Sequence, residues 1–92
     1  MPLLSATETA IHLSRVPGWQ IEAGELVRTF QFADFVAALR FVNQVGELAE
    51  AAGHHPDIDI RYNRVRLSLV SHDAGGLTEK DFALAGQTGK LI

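Results

Sequence analysis

The sequence predicts an α+β domain: a four-stranded antiparallel sheet with helices packed on one face, in the order α-β-β-α-β-β-α. Three observations predict it. Two stretches, Trp19 to Phe32 and Asp57 to Leu69, alternate apolar and polar residues around short turns, as hairpins do. Between them, apolar residues recur at three- and four-residue steps from Phe35 to Ala52, the period of a helix lying across a sheet. Helix-opening signals precede the first hairpin and follow the second.

In chain order, Ser5-Ala6-Thr7-Glu8 reads as a capping box, with Ser5 capping and Glu8 reaching back. The helix it opens is expected to run to about Arg15 and stop at Pro17-Gly18. His12 is expected to be exposed and without a role. Trp19 to Glu22 forms a strand, Ala23-Gly24-Glu25 a turn, and Leu26 to Phe32 a second strand; Trp19 suits a core or interface anchor. On the long helix, Phe35, Leu39, Val42, Val45 and Ala49 form a stripe that Phe41, Leu48 and Ala52 widen. Gly53 is placed as a left-handed cap, where a Cβ would be penalised.

Asp57 to Tyr62 and Val65 to Leu69 form the second hairpin, with Asn63-Arg64 as its turn. That register pairs Tyr62 with Val65, Ile60 with Leu67 and Ile58 with Leu69, all apolar and on one face. Arg61, Arg64 and Arg66 then make a solvated basic face. Asp73 to Gly76 is loop. Thr78 caps a last helix with Asp81 three residues on, and that helix carries Phe82, Leu84 and Ala85.

The 92 residues make one domain, residues 1–92, with a thin core. There is no cysteine to staple it, so a homo-oligomeric interface is the expected source of further burial. A hydrophobic content of 47% and a net charge of −3 exclude a disordered tail and argue against electrostatically driven nucleic-acid binding. No apolar run approaches the ~20 residues of a membrane span. Met1-Pro2-Leu3-Leu4 lacks the parts of a signal peptide, so a cytoplasmic location is expected.

The chemistry concentrates between Glu50 and Asp81. Extended to the mouth of the second hairpin, the pairing sets His55 opposite His72, with His54 near Asp73. Pro56 cannot donate to the ladder, so pairing loosens there. The helix holding Glu50 ends at the same corner, and Asp81 could approach from the loop side. Histidines titrate near neutrality and acidic neighbours fix their tautomers. Such a set suits an elimination or dehydration, one group protonating a departing hydroxyl while another removes a proton.

Zinc binding lacks the usual ligand spacing. A nucleophilic triad lacks both a cysteine and a serine on a nucleophile turn. Each residue also has a plain structural reading: His54-His55 as exposed residues after a cap, Asp81 as a capping acid, Glu50 as a solvated helix residue.

The ordered set Glu50-x3-His54-His55-Pro56-x5-Tyr62-x9-His72-x8-Asp81 resembles the signature of pterin-4a-carbinolamine dehydratases. Ser71-His72-Asp73-Ala74-Gly75-Gly76-Leu77-Thr78 is similar to that family's loop and helix start. Pro17-Gly18-Trp19 and Phe30-x-Phe32-x-Asp34-Phe35 are similar to its first strand and long-helix entry. The resemblance implies dehydration of 4a-hydroxytetrahydropterin to quinonoid dihydropterin, recycling the tetrahydrobiopterin cofactor of aromatic amino acid hydroxylases. It implies no metal, no cofactor, and a homodimer or homotetramer in which sheets join.

It further implies acid–base roles for His54 and His72, a pterin-holding role for His55, and supporting roles for Glu50 and Asp81. The pterin would lie against His54, His55 and Pro56 and against Ser71, His72, Asp73 and Ala74. Many members carry tryptophan where this chain has Ile58, which bears on affinity more than on chemistry. The alternative is a non-catalytic dimerisation or assembly module on the same fold, which would have no need of the histidines. A molybdopterin-related dehydratase would share the chemistry with another pterin.

Overall fold

A β-strand edge and three helix caps set the frame of the computed structural model, which describes residues 2–92. Met1, the first residue of the stretch considered for a signal peptide, lies outside the described residues. The elements run α1 (Ala6–Ser14), β1 (Gln20–Glu22), β2 (Glu25–Gln31), α2 (Phe35–Ala52), β3 (Asp57–Arg61), β4 (Arg64–Leu69) and α3 (Glu79–Gly89). The order is the one the sequence predicts. The strands form one antiparallel sheet in the order β1-β2-β4-β3.

The caps form where the sequence places them. Glu8 N–H donates to Ser5 Oγ at 3.1 Å and Ser5 N–H to Glu8 Oε1 at 2.9 Å. At the start of α2, Ala37 N–H donates to Asp34 Oδ1 at 2.8 Å. At its end, Gly53 is left-handed with φ 63°. Gly53 N–H reaches the Glu50 carbonyl at 3.3 Å and His54 N–H the Ala49 carbonyl at 3.2 Å. Together these two bonds make a Schellman motif. It turns the chain sharply and delivers His54 directly from the helix end.

Leu26 and Phe30 of β2 and Val65, Leu67 and Leu69 of β4 face the helices and are buried. They meet Phe41, Val45 and Ala49 of α2 and Phe82, Leu84 and Ala85 of α3. Thr29, Gln31, Arg64 and Arg66 stay exposed on the other face. Trp19 is buried at 5% exposure, its ring edge-on to Phe30 at 6.0 Å, as a core anchor.

Four expectations are corrected. The second hairpin turns at Tyr62-Asn63, so Arg61 pairs with Arg64, Ile60 with Val65 and Ile58 with Leu67. The register is two residues from the expected one. Asn63 fixes it: its amide donates to the Phe32 carbonyl at 2.9 Å, and its own carbonyl accepts from Phe32 N–H at 2.8 Å. Tyr62 therefore sits in the turn with φ 51°, 67% exposed, and is no core aromatic.

His12 is half-buried and stacks on Phe82 with centroids 5.3 Å apart, so it is not a free surface residue. Finally, α2 buries Ala38, Phe41, Val45 and Ala49, while Phe35, Val36 and Leu39 stay exposed. At about 100° per residue, that leftover apolar face lies roughly a third of a turn round the helix from the buried one.

Candidate active site

The Schellman turn that ends α2 aims His54 toward the first turn of α3, and there it meets Asp81. His54 Nε2 and Asp81 Oδ1 are 2.6 Å apart, with the histidine side chain 14% exposed and the aspartate fully buried. A buried carboxylate is costly unless donors surround it. Asp81 has three. Thr78 N–H donates to Oδ2 at 2.9 Å, Ser71 Oγ to Oδ2 at 3.0 Å, and His54 to Oδ1.

Proton counting gives the network a direction. Ser71 has one hydroxyl proton, and it is committed to Asp81. The 2.8 Å contact between Ser71 and Thr78 is therefore donated by Thr78. With Asp81 ionised the carboxylate is an acceptor only, and His54 then carries its proton on Nε2. If neutral, the imidazole then keeps a lone pair on Nδ1, which has no partner among the described residues. That tautomer is the one a general base needs.

Asp81 thus does two jobs that the sequence reading held apart. It completes the capping box of α3 and it holds His54. Ser71 is 2% exposed, its hydroxyl bonded to Asp81 and Thr78. Thr78 is equally buried; spacing marked it as a cap, and only the fold shows it bracing Asp81 from behind Ser71.

The second acid pair is exposed. His55 Nε2 lies 2.5 Å from Glu50 Oε2, with the side chains 62% and 79% exposed. The pair follows from the same turn, since Glu50 sits in the last turn of α2. Pro56 is half-buried just before β3 begins.

His72 is placed differently from the register expectation. Pairing between β3 and β4 stops at Asp57 and Ser68, so His72 does not face His55 across a ladder. It opens a small loop closed at its base by a Ser71–Gly76 bridge. Ser71 accepts from Ala74, Gly75 and Gly76 N–H groups, and Gly75 turns with φ 78°. His72 is exposed, its imidazole without a hydrogen bond among the described residues. Its neighbour Ser71 is bonded to Asp81, so His72 leaves the chain one residue from the carboxylate that holds His54.

Asp73 is exposed and Ala74 half-buried on the same loop. None of the described clefts is lined by His54, His55 or His72. His55 and His72 are exposed at this corner, beside the largely buried His54. Among the described residues, no three His, Asp or Glu side chains are grouped so as to hold a metal ion. No helix is long and apolar enough to cross a membrane.

Comparison with known proteins bears on the family and the fold. The family model described as pterin 4 alpha carbinolamine dehydratase matches residues 2–91. A provisionally named pterin-4-alpha-carbinolamine dehydratase of Chloroflexus aurantiacus is 62% identical over 92 residues, covering 100% of this chain and 99% of the relative. One of Acidobacterium capsulatum, named in the same way, is 64% identical over 80 residues, 87% of each chain. The crystal structure of a transcriptional coactivator/pterin dehydratase from Brucella melitensis superposes with a TM-score of 0.92 at 33% identity, covering 96% of each chain. A pterin dehydratase-like protein identified as a RuBisCO assembly factor shares the fold alone, at TM-score 0.65 and 24% identity over 79% of this chain and 84% of that one.

Proposed function

The chain belongs to the pterin-4-alpha-carbinolamine dehydratase family, and on that premise we propose that it converts a 4a-hydroxytetrahydropterin to the quinonoid dihydropterin. The observation that carries the proposal is the buried Asp81 carboxylate bonded to His54 Nε2 at 2.6 Å. In the step proposed, His54 Nδ1 takes the proton from N5 of the pterin. The C4a–O bond breaks as His72 gives a proton to the hydroxyl, which leaves as water. The electron pair freed at N5 forms the C4a=N5 double bond. Atoms and charges balance without an oxidant or a reductant.

His55, steadied by Glu50, is assigned to the pterin ring. Pro56 and the backbone of Ser71 to Ala74 complete the platform. A planar bicycle suits an open corner with polar groups at its edges, and the exposure of His55 and His72 leaves it room. General acid and base each contribute about 10²–10⁴ in rate. Within this reading the chain recycles the tetrahydrobiopterin cofactor of an aromatic amino acid hydroxylase in the cytoplasm.

The exposed Phe35, Val36 and Leu39 on α2 favour self-association, and we place a homo-oligomer interface there. The same face supports the second reading, an assembly-partner role. Sedimentation at micromolar concentration decides between them: a single monomeric species removes the homo-oligomer.

The catalytic proposal is tested by stopped-flow decay of a synthetic 4a-hydroxytetrahydropterin. Acceleration over buffer that saturates with substrate supports it; folded protein that leaves the buffer rate unchanged rejects it.

A further inference from the structure

We propose that the cleft between α1 and α3 is a second ligand site, taking a small monocarboxylate with an apolar body. The cleft has a volume of about 400 Å³ and is walled by His12, Val16 and Phe82. It shares Arg15, Val16, Gly86 and Lys90 with an adjoining cleft of about 280 Å³ that reaches Trp19 and Arg28. None of these residues belongs to the His54–Asp81–Ser71 network.

Charge selects an anion at the Trp19 end, while Glu79 lines the larger cleft beside it. The Trp19 end is lined by Arg15, Arg28 and Lys90 with no acid. Among the described residues, none of the three meets a carboxylate at ion-pair distance. Arg28 rests over the Phe30 ring at 4.3 Å and donates to the Pro17 carbonyl at 3.3 Å, while Arg15 and Lys90 have no side-chain partner among the described residues, on a chain of net charge −3. The other walls select an apolar body: the His12–Phe82 stack on one side and Val16 with the Trp19 indole on the other. An inorganic anion would leave those walls wet.

One detail argues that the space is built rather than left over. Gly86 lies inside α3, where glycine is less stable than alanine. Packing does not demand it, since a Cβ there would meet nothing within 4 Å. What glycine keeps is the width of the cleft.

Trp19 is the chain's single tryptophan, so its emission and its indole N–H resonance report the site directly. The probe is 4-phenylbutyrate, with neutral 4-phenylbutanamide as control. The expected result is a saturable change in both signals with a Kd of about 1 mM or tighter, the range a ligand of about a dozen atoms reaches. The amide and the Arg15→Gln/Lys90→Gln variant should each bind about tenfold or more weakly, as lost charge-assisted contacts imply. Gly86→Leu, which fills the cleft, should abolish binding while carbinolamine decay stays as in the wild type and thermal stability is equal or higher. The proposal is overturned if the wild type shows no saturable change up to about 10 mM, about ten times the Kd expected. It is also overturned if the amide binds as well as the acid, or if folded Gly86→Leu binds as the wild type does.

Discussion

Replacing Asp81 by asparagine changes one atom and should reverse a tautomer. The side-chain oxygen nearer α3 accepts from Thr78 N–H and Ser71 Oγ, and the other accepts from His54. Asparagine has one oxygen and one NH₂. With its oxygen toward His54, the NH₂ would face two donors, one of them the buried amide of Thr78. An unpaired buried donor costs about 1–3 kcal/mol, so the amide should settle the other way. Its NH₂ then points at His54 Nε2, which must accept, and the imidazole proton moves to Nδ1. The lone pair that faced the substrate is gone.

The expected loss is about 10²–10⁴ in kcat, the value of a general base. The cap survives, but all three bonds to residue 81 lose their charge, so stability should fall by about 1–3 kcal/mol. Stopped-flow decay gives the rate, urea melts give the stability, and ¹⁵N shifts of the His54 ring give the tautomer. A folded Asp81→Asn protein that keeps its rate within a few-fold, or wild-type His54 with its proton on Nδ1, would refute the reasoning.

Three further outcomes follow from the same structure. His54→Ala and His72→Ala should each lower the carbinolamine rate by about two orders of magnitude or more; wild-type rates in both would overturn the roles given to them. Leu67→Ala, at a fully buried position of the central strand β4, should cost about 2–5 kcal/mol by denaturant melts; a loss well under that range would mean the sheet–helix core is looser than drawn. The Ser5 backbone N–H, and then its side chain, hold the exposed Glu8 carboxyl below its ordinary value. A lowered folded-state pKa stabilises above the unfolded pKa and is lost as pH falls through the folded one. The protection of the Ser5 amide relative to its intrinsic exchange rate should therefore fall in acid, below the ordinary carboxylate range, and Glu8→Gln should remove that dependence.

What could be read from the sequence was what local chemistry decides at fixed spacing. The Ser5 and Thr78 boxes and the Gly53 cap need only residues a few positions apart. The link between His54 and Asp81 spans 27 residues, and the ordered motif, not periodicity, pointed to it. The register of the second hairpin was misplaced for a physical reason. Side chains alternate with period two, so a slip of two residues leaves every apolar residue on its own face. Pattern could not choose between turns, and the choice was made by Asn63 docking on Phe32, far away in the chain.

Tertiary packing likewise hid the His12–Phe82 stack and the commitment of Ser71 to Asp81, because each joins elements that meet only in the fold. On α2 the apolar arc is wider than the sheet can cover, so the sequence stripe included Phe35 and Leu39, which the core leaves out.

The central claim is that the pterin sits where Asp81 holds His54, and imidazole resonances during titration with 7,8-dihydrobiopterin test it most directly. The account predicts that the His54 and His72 rings shift and saturate together while His12, stacked on Phe82, stays still. Saturable shifts at His12 with His54 and His72 unmoved would contradict it.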